Sequence, residues 1–174
     1  MLEIEVKIRI DENPKEVTDR ILGFGARLVK DRYFEENTLY DFPGQILRLK
    51  QQAVRLRKIK KKAYLTFKGS PQKSRRFKIR EEFETEVKNA VQLKKILKSL
   101  GLSPSFSYTK HRTAFKYKKL KIFLDETQAG LFVEFEGERS DIMRFARSMG
   151  FTNSSFITKD YIALLTEAGL NSPN

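Results

Sequence analysis

The chain has 174 residues, 40% hydrophobic and 33% charged, which is enough to bury one core and too balanced for a disordered or fibrous polymer. Zero cysteines and a single histidine, His111, exclude disulfides, zinc–thiolate sites, thiol chemistry and a histidine metal cluster. A net charge of +13 requires an anionic partner or a solubility role, with nucleic acid, anionic lipid and a phosphorylated small molecule as the candidates.

In chain order, Met1 to Glu5 lacks the basic and apolar regions of a signal peptide, and no apolar run reaches bilayer length, so a cytoplasmic, non-membrane protein is expected. Period-2 alternation predicts strands over Glu3–Ile10, Arg32–Phe42, Ile46–Lys50, Val54–Ile59, Ala63–Gly69, Arg76–Lys88, Ser105–Tyr117, Lys119–Glu126 and Leu131–Arg139. Four helices interrupt them. Pro14–Gly25 opens on proline, Ala90–Leu100 is capped by Asn89 and stopped by Gly101, and Asp141–Met149 is capped by Ser140 and stopped by Gly150. Lys159–Ala168 takes Thr158 as cap and Gly169 as stop, with Tyr161, Leu164 and Leu165 on its buried side. Gly69 to Ser74 reads as a hairpin loop, and no linker divides the chain. A single domain over 1–170 with a frayed tail at 171–174 is expected.

Three times a strand bearing Glu-x-Glu feeds a helix that ends at glycine: Glu3/Glu5 before Gly25, Glu82/Glu84 before Gly101, and Glu134/Glu136 before Gly150. Residues two apart share a strand face, so Glu3, Glu5 and Lys7 point one way and Ile4, Val6 and Ile8 the other. One such strand reads equally well as an exposed amphipathic strand. The pattern recurs, however, in Arg55/Arg57, in Arg80/Glu82/Glu84/Glu86, in Lys110/Arg112, in Lys121/Asp125 and in Glu134/Glu136. Helices packed on the apolar faces and closure of the sheet then place the charges inside, and closure also removes strand edges. Such an interior is costly unless its charges are paired or liganded. Carboxylates collect Mg²⁺ or Mn²⁺ while Arg and Lys neutralise a polyphosphate, so the mixture fits a metal–triphosphate better than nucleic acid, whose phosphates the acids would repel.

The ordered segments Glu3-Ile4-Glu5-Val6-Lys7, Asn37-Thr38-Leu39-Tyr40-Asp41, Val54-Arg55-Leu56-Arg57, Thr66-Phe67-Lys68-Gly69 and Arg80-Glu81-Glu82-Phe83-Glu84 carry a resemblance. Lys110-His111-Arg112, Leu124-Asp125, Gly130 to Glu136 and Asp160 to Leu165 complete it. Together they resemble the CYTH superfamily, the triphosphate tunnel metalloenzymes, and look most like its class IV adenylyl cyclase and thiamine triphosphatase group. The resemblance implies an α+β, mainly β fold: a closed eight-stranded antiparallel barrel with helices outside. It implies metal-side acids at Glu3, Glu5, Glu82, Glu84, Asp125, Glu134 and Glu136, and phosphate binders at Lys7, Arg55, Arg57, Lys68, Arg80, Lys110 and Arg112. Lys7, Glu5 and Glu136 would be catalytic, with Mg²⁺ or Mn²⁺ as cofactor. At Asp160 the sequence departs from the family's serine, which removes a hydroxyl at that position.

The same cage serves two reactions, conversion of ATP to cyclic AMP and pyrophosphate, or hydrolysis of inorganic, thiamine or nucleoside triphosphate. The expected partner is one of these small triphosphates; a homodimer stays open, and a nucleic-acid-binding barrel without catalysis is the rival. Lys58 to Lys62 and Arg75 to Lys78 read as solvated charge runs, His111 as an exterior residue, and Phe34, Phe42 and Phe106 as packing residues rather than base platforms.

Overall fold

The computed structural model describes residues 2–170; the predicted tail at 171–174 lies outside them. Eight strands run in chain order as β1 (Leu2–Ile10), β2 (Arg27–Asp41), β3 (Ala53–Ile59), β4 (Lys62–Lys68), β5 (Lys78–Val87), β6 (Ser103–Tyr117), β7 (Leu120–Thr127) and β8 (Gly130–Glu136). Among them lie α1 (Pro14–Gly23), α2 (Ile46–Leu49), α3 (Ala90–Ser99), α4 (Arg139–Ser148) and α5 (Tyr161–Glu167). The strands close into an antiparallel barrel in the order β1-β5-β4-β3-β2-β6-β7-β8. Among the described residues no helix is long and apolar enough to cross a membrane.

Parity decides the two faces. Val6, Ile8, Ile122, Leu124, Val133 and Phe135 turn outward into a buried apolar cluster completed by Val17 and Ile21 of α1 and Ile142, Phe145 and Ala146 of α4. A second cluster joins Tyr40, Leu56 and Ala63 to Leu97 of α3. The apolar core therefore lies between the barrel wall and the helices, and the interior is left to polar side chains. Each Glu-x-Glu strand, β1, β5 and β8, feeds one of these helices, α1, α3 and α4. The helix α5 differs, because Tyr161, Leu164 and Leu165 pack on Phe132, whose strand parity matches that of Glu134 and Glu136. Where β1 parts from β5, Lys7 and Ile157 exchange backbone hydrogen bonds of 3.0 and 2.8 Å, which seats α5 against the barrel.

Ile46–Lys50, the third of nine predicted strands, is the one-turn helix α2. Its alternation of Ile46, Arg48 and Lys50 is overridden by Asp41, whose carboxylate accepts the N–H groups of Phe42, Leu47 and Arg48 at 2.7, 2.8 and 3.0 Å and bends the chain. The last strand stops at Glu136 rather than Arg139, which opens α4 with Glu138 as its cap in place of Ser140. α5 begins after Asp160, not Thr158, and the Asp160 carboxylate accepts the Ala163 N–H at 2.9 Å. Aspartate and serine are equivalent N-caps, so the departure from serine keeps the cap.

Candidate functional site

The barrel encloses a cavity of about 1770 Å³ lined by Glu3, Glu5, Lys7, Arg55, Arg57, Lys68, Arg80, Glu82, Glu84, Lys110, Arg112, Glu134 and Glu136. Of the site residues implied by the resemblance, only Asp125 lies outside this lining; Glu86, on the same face of β5 as Glu82 and Glu84, lies beyond it and pairs with Lys62 at 3.2 Å. The pairing register explains the convergence: Glu5 sits opposite Glu136 and Lys7 opposite Glu134 on β8, while Glu3 and Glu5 sit opposite Arg80 and Lys78 on β5.

The acids divide by what they touch. Glu3, Glu5 and Glu136 bring carboxylate oxygens within 4.8 Å of one another. Burial, with Glu134 and Glu3 close by, pushes the Glu136 carboxyl up to about 8 although Lys121 reaches it at 3.2 Å. Burial also pushes Glu82 up to about 7, reinforced by its hydrogen bond with Glu3. Burial opposes ionisation of Glu3, but that bond and Lys68 hold it down at about 2. Glu84 accepts from Arg57 at 2.8 Å and from the Thr66 hydroxyl at 2.7 Å. Lys68 contacts Glu3 at 2.9 Å and also Glu82.

Asp125 was grouped with the metal-side acids by resemblance; in the structure its oxygens accept four hydrogen bonds. Arg112 donates twice at 2.6 Å, Lys110 at 2.9 Å and the Tyr161 hydroxyl at 2.5 Å, which fills a carboxylate's complement. Asp125 is thus an anchor that aims Lys110 and Arg112. Lys7 lies between Glu134 at 2.7 Å and Glu5 at 3.2 Å; burial disfavours its charge, but the two carboxylates outweigh burial and keep it an ammonium well above its ordinary range.

Several interior residues escaped the sequence reading. Lys78, read there as part of a solvated run, is 8% exposed, lines the cavity, and has only Asp160, at 3.9 Å, as an ion-pair partner among the described residues. Burial, followed by the charges of Arg80 and Lys7, lowers Lys78 to about 8. Arg80, 7% exposed, has no carboxylate within ion-pair distance among the described residues, and its Nε is buried without a partner. Glu35 and Asn37 are also buried on β2, beside Arg57 and Lys110, each 3.7 Å from Glu35. The Glu35-Glu36 doublet hid their parity; for Lys78 the signal was present, since it shares parity with Arg80 and Glu82. His111 faces outward, its ring 5.1 Å from that of Phe34. Phe106, expected as packing, does pack against the cluster of Phe132, Tyr161, Leu164 and Leu165, and it also borders the cavity.

A family model of the CYTH domain matches residues 1–150. A protein of Methanocaldococcus jannaschii, provisionally named an adenylate cyclase, is 26% identical, with the alignment covering 94% of this chain and 98% of its own. Among solved structures, a provisionally named adenylate cyclase of Vibrio parahaemolyticus superposes with a TM-score of 0.84 at 18% identity, covering 95% of this chain and 98% of that one. A Hippeastrum protein, provisionally named an adenylyl cyclase and described as having a dominant triphosphatase activity, superposes with a TM-score of 0.72 at 18% identity over 98% of both chains.

Proposed function

The chain belongs to the CYTH domain family, and from that membership we propose that it is a metal-dependent enzyme that holds a triphosphate inside the barrel. Its reaction is most like that of a class IV adenylyl cyclase, which converts ATP to cyclic AMP and pyrophosphate. The observation that carries the proposal is one three-carboxylate cluster, Glu3, Glu5 and Glu136, lining the same cavity as the buried cations Lys68, Arg80, Lys110 and Arg112 of β4, β5 and β6.

The cluster fits a hard divalent cation. Oxygens sharing one Mg²⁺ lie at most about 4 Å apart, twice the Mg–O distance. The observed 4.8 Å needs only small side-chain rotations. The crowding of Glu3, Glu134 and Glu136, which helps raise Glu136, fits the same cation. Glu3, Glu5 and Glu136 would hold Mg²⁺ or Mn²⁺, with Glu134, Glu82 and Glu84 flanking them. When bound, the metal supplies Lewis-acid stabilisation of developing negative charge on phosphate and alkoxide oxygens.

Arg55, Arg57, Lys68, Arg80, Lys110 and Arg112, joined by Lys78, bind and orient the phosphate chain, with Asp125 fixing Lys110 and Arg112. Lys7, paired with Glu134 and Glu5, neutralises charge beside the phosphate chain. In the cyclase reaction the ribose 3′-oxygen forms a bond to the α-phosphorus as the bond to the β-phosphate oxygen breaks; pyrophosphate leaves into this cationic wall and the hydroxyl proton is released. The relative from M. jannaschii supports the cyclase assignment by its provisional name. The decisive experiment is product analysis after incubation with ATP, inorganic triphosphate and thiamine triphosphate in Mg²⁺ or Mn²⁺. Cyclic AMP with pyrophosphate supports the cyclase; orthophosphate assigns a triphosphatase; no turnover and no binding of any of the three refutes the proposal.

A further inference from the structure

The charge of the whole chain is not accounted for inside the barrel. The seven metal-side acids and Glu35 are matched in number by the seven phosphate binders and Lys78, so the net +13 is carried by residues outside this set. One outer region gathers cations around exposed aromatic rings. There β2, β6 and the β3–β4 hairpin form a depression of about 410 Å³ lined by Arg32, Phe34, Glu36, Lys58, Lys60 and His111, with Tyr33 shared between it and the barrel cavity.

Phe34 and Lys58 have the strand parity of Tyr40 and Leu56, and so face outward. Phe34, read from sequence as a packing residue, is 46% exposed and stands opposite His111 in the β2–β6 register, with the two rings 5.1 Å apart. Lys60 and Lys61 form the turn between β3 and β4. Arg32 is engaged by Glu126 at 2.8 Å and Lys62 by Glu86 at 3.2 Å. Lys30, Lys58, Lys60 and Lys61, by contrast, have no ion-pair partner among the described residues, and the lining includes one acid, Glu36, opposite Lys58 in the register. Burial holds the Lys30 ammonium below its ordinary range; Glu35 opposes this, while the charges of Lys60, Arg57 and Lys62 add to it, so these cations crowd one another. Cations alone would suit any polyanion. The Phe34–His111 pair set among them adds faces on which a planar base stacks, and a base is free to stack on protein where no duplex holds it.

We propose that this outer depression docks single-stranded nucleic acid, with Phe34 and His111 stacking bases and Lys30, Lys58, Lys60 and Lys61 holding the flanking phosphates. The site lies on the outer face of the wall and acts independently of the triphosphate cavity. RNA and DNA share this chemistry and are arms of the test.

Fluorescence anisotropy of the full chain with labelled single-stranded RNA and DNA oligonucleotides provides it. Each oligonucleotide ends in a 5′-hydroxyl, and so offers the barrel no triphosphate. Binding of at least one is expected, unchanged when inorganic triphosphate is added at fixed Mg²⁺, and falling with salt on a log–log slope of about −0.7 per phosphate contact. Combining Lys60→Gln with Lys61→Gln should flatten that slope by about 1.4. Phe34→Ala should weaken binding about fivefold or more, the loss of one stacked base, while Phe34→Trp should bind as the parent does. Thermal melts matching the parent's show that the variants fold. No binding of either strand, displacement of the strand by inorganic triphosphate, or a Phe34→Ala variant that binds as tightly as the parent overturns the proposal. Binding to phosphatidylserine vesicles in place of the oligonucleotides overturns it in favour of a lipid surface.

Discussion

Replacing Lys78 with methionine should stabilise the ligand-free protein and weaken its hold on a triphosphate. The ammonium is buried beside Arg80 and Lys7, and its titration falls from the ordinary 10.5 to about 8. At about 1.4 kcal/mol per pH unit, that fall puts the cost of the charged form near 3 kcal/mol at neutral pH. Methionine keeps the length and removes the charge. The variant also loses the 3.9 Å contact to Asp160, which is partly exposed and keeps Arg48 at 3.1 Å, a loss of at most about 1 kcal/mol. The net expectation is roughly 2 kcal/mol of added stability, or a melting temperature raised by about 4–8 °C for a chain of this size. The pH dependence has a definite sign. Between about 8 and 10.5 the unfolded chain holds a proton that the folded Lys78 has released, so the parent gains stability as pH rises there. The advantage of Lys78→Met, greatest below pH 8, should close by about pH 10. Urea melts of both proteins at pH 7, 8.5 and 10 measure this, and repetition with Mg²⁺ and triphosphate should show a larger ligand-induced gain in the parent. A variant less stable than the parent at pH 7, or a difference independent of pH, refutes the reasoning.

Glu136 makes the converse case. Its folded titration near 8 lies above the ordinary 4.5, so the metal-free protein should lose stability as pH climbs between those values. Thermal melts should show a larger Mg²⁺-induced rise at pH 8.5 than at pH 5.5, and Glu136→Gln should abolish most of that difference; equal rises at both pH values count against a metal at this cluster. Tyr161→Phe removes the 2.5 Å hydrogen bond to Asp125 and should cost about 1.5–3 kcal/mol in urea unfolding, the range for a bond to a charged group; a loss below about half a kcal/mol would mean that Asp125 is held by its cations alone. Arg57→Ala should weaken Mg²⁺–triphosphate binding by at least about tenfold, the loss expected for one charge-assisted contact. If it instead weakens only salt-sensitive binding to single-stranded nucleic acid, the polyanion-binding rival gains.

The barrel was legible because parity is a geometric fact of strands: once Glu3/Glu5/Lys7 share a face, so do their neighbours across every ladder. What the sequence obscured depends on competition between local signals. Ile46–Lys50 alternates like a strand, yet Asp41, five residues before, takes the N–H groups a ladder would have used. Lys78 was hidden by its basic neighbours, since Arg75 and Arg76 are exposed and the run looks uniformly solvated. Asp125 shared the parity of the other acids, but only coordinates reveal that Tyr161, 36 residues later, completes its four hydrogen bonds.

The arrangement also explains how such a costly interior is tolerated. Helices α1, α3 and α4 bury the apolar faces of the strands on the outside, so the core that holds the fold does not depend on what fills the barrel. Most interior charges are paired: Lys7 with Glu5 and Glu134, Lys68 with Glu3 and Glu82, Arg57 with Glu84, and Lys110 and Arg112 with Asp125. The imbalance is greatest in two places on the strands either side of β1: around Glu136 of β8, whose ion-pair partner is the exposed Lys121, and around Lys78 and Arg80 of β5. Glu5 is opposite both Glu136 and Lys78 in the register, so the two surpluses flank a single β1 residue. A cation bridged to a polyanion relieves both at once, whereas either ion alone relieves one and leaves the other. Metal and triphosphate should therefore bind with positive coupling, each tightening the other by the same factor.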